Sequence, residues 1–187
     1  MINRFFIYMS MGLMMWVILV PGTTHAQRLD LSNFFIDTYE GRLVARFSVE
    51  VDDFERVRTA LDNGTKVALV CNVDLLRSRV LLRDKSLLSK EIEVGLEKDL
   101  LSGEYVINFP AHRRSLPSFD HDDFTKLFHA MDAILLPIED LDIGRKHVVR
   151  IEARLISKGV PKWIKRTLFF WSWDLASSIR YDMEFSL

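Results

Sequence analysis

From Ile179 to Leu187 the chain alternates without a break. Ile179, Tyr181, Met183, Phe185 and Leu187 take the odd positions, and Arg180, Asp182, Glu184 and Ser186 the even ones. Successive side chains of an extended chain point to opposite faces, so this pattern makes one apolar and one polar side. The pattern recurs. Leu43, Ala45, Phe47, Val49 and Val51 share a face opposite Arg42, Arg46 and Glu50. Ile92, Val94 and Leu96 alternate with Glu91, Glu93 and Glu97, and Val149, Ile151, Ala153 and Leu155 with Arg150, Glu152 and Arg154. Such segments belong to antiparallel sheets wetted on one side. With Leu29–Thr38, Lys66–Leu82 and Tyr105–Phe109 they make about seven strands. The expected fold class is mainly β (α+β by content). It is a single domain with an antiparallel, β-sandwich-like sheet of about seven strands and two or three inserted helices.

One strand changes phase. From Val67 to Leu75 the odd positions are apolar; beyond Leu76 the apolar positions are even (Val80, Leu82) and Arg77, Arg79 and Arg83 take the odd ones. A one-residue shift exchanges the two faces, so a bulge or a crossing between sheets is expected near Leu75-Leu76. Two segments have helical spacing. Phe124, Leu127, Phe128, Met131 and Leu135 form one apolar stripe, with Asp120 as N-cap, Asp122 and Asp123 in the first turn and Pro137 as the stop. Phe54, Val57 and Leu61 mark a second helix over Asp53–Asp62, ended by Asn63-Gly64. A third, short helix is expected to begin near Pro161 and to bury Trp163, Ile164, Leu168 and Phe169.

The first 26 residues read differently. Between Phe5 and Val20, 14 of 16 residues are apolar, Arg4 precedes them, Pro21-Gly22 ends the run, and Thr24-His25-Ala26 supplies a small-x-small site. This is the pattern of a secretory signal peptide, leaving residues 27–187 as one domain in the periplasm. The run is short for a spanning helix, which needs about 20 apolar residues; the alternative is an uncleaved inner-membrane anchor. No cysteine follows the run, which excludes a lipoprotein. Cleavage would remove Arg4 and take the formal net charge from −1 to −2, which draws the chain to no nucleic acid. Cys71, the single cysteine, lies in the apolar alternation and is expected to be a buried, inert thiol.

No spacing here carries a known mechanism. The nucleophile elbow, the zinc-binding helix and the phosphate- and dinucleotide-binding glycine loops have no counterpart, and the eight glycines do not cluster. Asp120-His121-Asp122-Asp123 with His129 has metal-ligand residue types, but a cap and first turn account for the carboxylates. His121 and His129 lie two turns apart, too far to share an ion. No catalytic residue, metal or cofactor is therefore expected. The candidate interaction surface comprises Arg77, Arg79 and Arg83, the pair Arg113-Arg114 in the loop Pro110–Asp120, and Trp171 and Trp173 in an aromatic segment with Trp163, Phe169 and Phe170. The commoner reading of the arginines is the solvated face of a strand, and of the aromatics a core.

Phe54, the segment Ala60-Leu61-Asp62-Asn63-Gly64, a strand ending in Arg77-Ser78-Arg79, Leu101 and Tyr105 about a turn, Arg150, Arg154, Val160-Pro161, Trp173, Leu175 and Ser177 follow in an order and spacing that resembles the bacterial DUF4390 family. The resemblance spans Leu29 to Leu187. It implies an exported Gram-negative protein of uncharacterised function. Because members are often encoded beside a nitrogen-regulation type sensor histidine kinase, it also implies an envelope or membrane protein partner. Two functions follow as expectations. The first is a non-catalytic periplasmic interaction module, with peripheral membrane contact as a further expectation. The second is a small-ligand-binding or enzymatic domain with an aromatic-lined pocket, which requires a deep cavity with convergent polar groups.

Overall fold

The computed structural model describes residues 28–79, 81–158 and 178–187. Among them are nine strands, all antiparallel, and two short helices in a single, mainly β domain. The elements are β1 (Leu29–Tyr39), β2 (Arg42–Val51), α1 (Phe54–Asp62), β3 (Lys66–Arg77), β4 (Lys85–Lys98), β5 (Tyr105–Asn108), β6 (Arg113–Leu116), α2 (His121–Phe128), β7 (Met131–Pro137), β8 (Lys146–Lys158) and β9 (Ile179–Ser186). One sheet has three strands, ordered β1-β2-β7; the other has six, ordered β6-β5-β4-β3-β8-β9.

The period-two faces become the core. Phe47 and Val49 of β2, Leu69, Cys71 and Val73 of β3, and Ile151, Ala153 and Leu155 of β8 are buried in one hydrophobic cluster. α1 lies against β3 and β4, and α2 against β2. Their aromatics close the sandwich: Phe54 meets Phe119 edge-on at 5.3 Å, and Phe124 meets Phe128 at 4.5 Å between ring centroids. Opposite-facing charges pair across strands on the six-stranded sheet, as in Arg150–Asp182 and Arg154–Glu91.

The sheet reading holds, with seven strands extended to nine. A register shift does fall at Leu75-Leu76, but the extra residue is in β4 and β3 keeps its own phase to its end at Arg77; Leu82, which suggested the phase change, lies beyond the strand. β3 pairs with β8 without interruption, whereas Leu75 and Leu76 face Leu88 and Ser86 of β4, so Leu87 is the inserted residue. A second bulge, in β1, falls between Ser32 and Phe35, with Asn33 at φ +52°. The β1–β2 turn, Glu40-Gly41, has positive φ at both residues, the primed geometry that matches strand twist.

Three expectations are corrected. The stripe Phe124–Leu135 is not one helix: α2 ends at Phe128, and Met131–Pro137 forms β7 against β2. Met131 and Leu135 fit period two as well as period 3.6, and Ala133 between them is fully buried. Pairing with β2 then decides, because it satisfies the backbone in the sheet. The loop Pro110–Asp120 contains a short edge strand, β6. Finally, β3 stops at Arg77, so Arg79, Leu82 and Arg83 belong to the β3–β4 connection. The helix expected near Pro161 lies outside the described residues.

Candidate functional site

The β3–β4 connection forms one end of the six-stranded sheet, beside the β7–β8 loop. The Ser78 N–H donates to the Lys146 carbonyl (2.9 Å), Arg77 pairs with Asp142, and the Gly144 N–H donates to the Leu187 main-chain oxygen (3.1 Å). The Arg77 guanidinium holds the Asp142 carboxyl below its ordinary range. Beyond this anchored base the tip is exposed: Leu81 by 94%, Leu82 by 70% and Ile143 by 88%. A shallow hollow of about 430 Å³ is lined by Arg77, Ser78, Arg79, Leu81, Leu82 and Arg145.

The arginines expected to share one strand face therefore divide. Arg77 is spent on Asp142, while Arg79 and Arg83 are exposed on the tip. Arg113 and Arg114 are exposed on β6, where they pair in register with Asn108 and Ile107 and so face opposite sides of the sheet. They are not part of the tip. β5 and β6 attach at the Gly95–Lys98 end of β4, and the tip leaves β4 at Lys85, about 30 Å away along an extended strand. Trp171 and Trp173, with the rest of that aromatic segment, lie outside the described residues.

The groups with chemical potential elsewhere are engaged in structure. Asp120 and Asp123 form a reciprocal capping box: the Asp123 N–H donates to Asp120 Oδ1 (2.8 Å) and the Asp120 N–H to Asp123 Oδ2 (3.3 Å). The backbone N–H of Asp123 keeps the Asp120 carboxyl below its ordinary range. Among the described residues no group of three or more His, Cys, Asp or Glu side chains is placed to hold a metal ion. Cys71 is fully buried, and burial pushes its thiol up to about 12. His147 is fully buried and stacked on Phe185, and neither ring nitrogen has a hydrogen-bond partner among the described residues.

One Ser–His contact escaped the sequence. Ser48 Oγ lies 3.1 Å from His129 Nδ1 and also donates to the His129 carbonyl. Ser48 is 1% exposed, and the Asn33 side-chain amide also donates to its Oγ at 3.3 Å, so the hydroxyl is held among neighbours from β1 and the α2–β7 turn. Ser48 and His129 are 81 positions apart, and β2–β7 pairing brings them together; no local signal marks them. A second cluster joins α1 to the β4–β5 turn. Tyr105 Oη donates to Asp62 Oδ1 at 2.5 Å and Lys98 Nζ to the same oxygen at 2.8 Å, with Nζ 4.8 Å from the Tyr105 ring centroid. Lys98 first, then Tyr105, keeps the Asp62 carboxyl below its ordinary range.

The DUF4390 family model, described as a domain of unknown function, matches residues 26–184. The chain belongs to the DUF4390 family. No curated protein and no solved structure matches it. Four of the landmarks that carried the resemblance have places in the described part of this DUF4390 domain, while Val160-Pro161, Trp173, Leu175 and Ser177 lie outside the described residues. Asp62 meets Tyr105, Phe54 packs in the aromatic core, Gly64 turns the chain out of α1 at φ +75°, and Arg150 grips Asp182 through two hydrogen bonds of 2.9 Å. All four are structural contacts. The exposed tip, by contrast, is tied to the neighbouring loop at its base and carries one hydrogen bond of its own among the described residues, from the Arg79 N–H to Asp84 Oδ1 at 3.3 Å.

Proposed function

We propose that this DUF4390 domain is an exported, non-catalytic interaction module of the bacterial envelope whose protein partner is a membrane-bound sensor histidine kinase. One contrast supports the reading. The residues with catalytic or ligating chemistry are tied into caps, clamps and core, whereas Arg79, Arg83, Arg113 and Arg114 are exposed and, among the described residues, in no ion pair. The apolar run before Gln27 supports export, with cleavage after Ala26.

Cross-linking in living cells that express the full chain, followed by recovery of the cross-linked partners, tests the module. The expected product is a membrane sensor kinase, lost when Arg113 and Arg114 are both replaced by Gln. Recovery of no membrane protein, together with hydrolytic turnover by the purified chain, would sink the reading. Intact-mass measurement tests export separately: a species of residues 27–187 is expected, and an unprocessed mass would instead indicate the anchored form.

A further inference from the structure

The tip combines two properties that rarely adjoin on a surface kept only for solubility. Three apolar side chains, Leu81, Leu82 and Ile143, project from two adjacent loops, each at least 70% exposed. Around them, residues 77–85 and 142–146 carry six basic side chains (Arg77, Arg79, Arg83, Lys85, Arg145, Lys146) against two acidic ones (Asp84, Asp142), a formal net charge of +4. Arg77 is neutralised by Asp142, and Lys146 lies 3.8 Å from Glu184. Arg79, Arg83, Lys85 and Arg145 form no ion pair among the described residues.

We propose that this tip docks the domain on an anionic phospholipid surface, with Leu81, Leu82 and Ile143 entering the headgroup layer and Arg79, Arg83 and Arg145 meeting lipid phosphates. A bilayer offers anionic charge at its surface and an acyl layer just beneath, which is the order in which the tip presents its cations and its apolar ends. An acidic protein would need a hollow shaped to take three apolar ends from two loops; a bilayer needs no such shape. The proposed contact is peripheral because side chains of two loops make it; among the described residues no helix is long and apolar enough to cross a membrane. The anchored base matters too. The Arg77–Asp142 pair and the Ser78–Lys146 hydrogen bond tie the two loops together at their base, so their exposed apolar side chains stand at the same end of the sheet. The inference goes beyond the protein-partner reading and rests on different residues from the Arg113–Arg114 pair tested above.

A probe on the tip separates this contact from any membrane affinity of the leader. Cys71 is fully buried, so a cysteine introduced on the surface is the one that labels under native conditions. The full-length chain carrying Leu82→Cys, labelled with an environment-sensitive dye, is mixed with phosphatidylglycerol vesicles and, separately, with phosphatidylcholine vesicles. Leu101→Cys, at the other end of β4 and 99% exposed, is the control. A blue shift is expected for the dye at position 82 on anionic vesicles only. Raising the salt to about 0.5 M should reverse it, because the Debye length contracts to a few ångströms. Adding Arg79→Gln and Arg83→Gln should abolish it. The control should not shift. No shift at 82, an equal shift on phosphatidylcholine, or an equal shift at 101 overturns the proposal. If the tip stays silent on vesicles while Arg79→Gln and Arg83→Gln prevent recovery of an envelope protein, the tip binds an acidic protein, and the lipid inference fails while the interaction-module reading stands. If the dye shifts but no protein partner is cross-linked, the reverse holds.

Discussion

Strand β4 is bounded at both ends by a Leu-Leu pair: Leu81-Leu82 before it and Leu100-Leu101 after it. By exposure the two pairs look alike, at 94% and 70% against 67% and 99%. Their surroundings differ. At the far turn the Leu101 and Ser102 N–H groups donate to Asp99 Oδ1, and the Gly103 N–H donates to the Asp99 carbonyl at 2.7 Å. The Asp99 N–H closes on the Glu104 carbonyl at 2.8 Å, and Leu100 rests over Gly64. Acidic side chains outnumber basic ones there, with Asp62, Asp99 and Glu104 against Lys98 and Arg58, both of which pair with Asp62. At the tip the two loops are tied at the base, the Arg79 N–H donates to Asp84 Oδ1 at 3.3 Å, and the charged side chains in no ion pair among the described residues are four cations and Asp84. Exposure alone therefore does not identify a contact surface; the charge around the apolar group and its freedom from structural duty do.

The sharpest break between the two ends should come from Gly64. Its φ of +75° is strained for any residue with a Cβ, and an added Cβ would lie 3.2 Å from Leu100 Cδ1. Gly64→Val should cost about 2–3 kcal/mol, read as a lower denaturant midpoint with the slope unchanged. A loss below about 0.5 kcal/mol would mean that the far turn is no more structural than the tip.

Next in size is the clamp beneath the same turn. Tyr105→Phe removes the hydroxyl that donates to Asp62 and should cost about 1 kcal/mol, the carboxylate being 39% exposed and keeping its Lys98 partner. The Arg150–Asp182 pair gives a pH-dependent counterpart on the open face of the sheet. Arg150, and to a lesser degree Arg180, lowers the Asp182 carboxyl to about 2. A depressed folded-state pKa stabilises above the unfolded value and is lost as pH falls through the folded one, so the window runs from the ordinary aspartate value of 3.8 down to about 2. At 38% exposure the contribution at neutral pH, discounted for screening, is about 1 kcal/mol. Thermal melts of the wild type and Asp182→Asn should differ at pH 7 and converge near pH 2.

Much of this layout can be traced to local pattern. β2, β4 and β8 bury apolar members of their alternation, and in β9 Ile179, Met183 and Phe185 are half-buried between exposed neighbours, so period two marks them directly. Asp53–Asp62 and its Asn63-Gly64 stop mark α1, because a φ near +75° needs glycine. Where two periods share residues the pattern fails. Met131 and Leu135 satisfy helix and strand alike, and only pairing with β2 decides. β6 is four residues long with three of them exposed, so it has no apolar face to read. The candidate arginines were legible as residues but not as a surface. Nothing local shows that Arg77 reaches Asp142, 65 positions away, and so ties the loop of Ile143 to that of Leu81. The Ser48–His129 contact is invisible for the same reason.

The smallest expected effect on stability is the one that separates docking from folding most cleanly. Leu81→Ser with Leu82→Ser, and Leu100→Ser with Leu101→Ser, each replace two exposed leucines. The tip pair should change stability by no more than about 0.5 kcal/mol, because its side chains bury little on folding. The far pair should lose more, since Leu100 packs over Gly64. A tip double variant that unfolds by more than about 1 kcal/mol would show Leu81 and Leu82 to be core residues, and the contrast would collapse. Unchanged stability together with lower retention on anionic vesicles gives the opposite result: apolar surface that the fold does not need. Exposed leucine held next to unpaired arginine weakens solubility without stabilising the sandwich, and a contact outside the domain is the physical reason to keep it there.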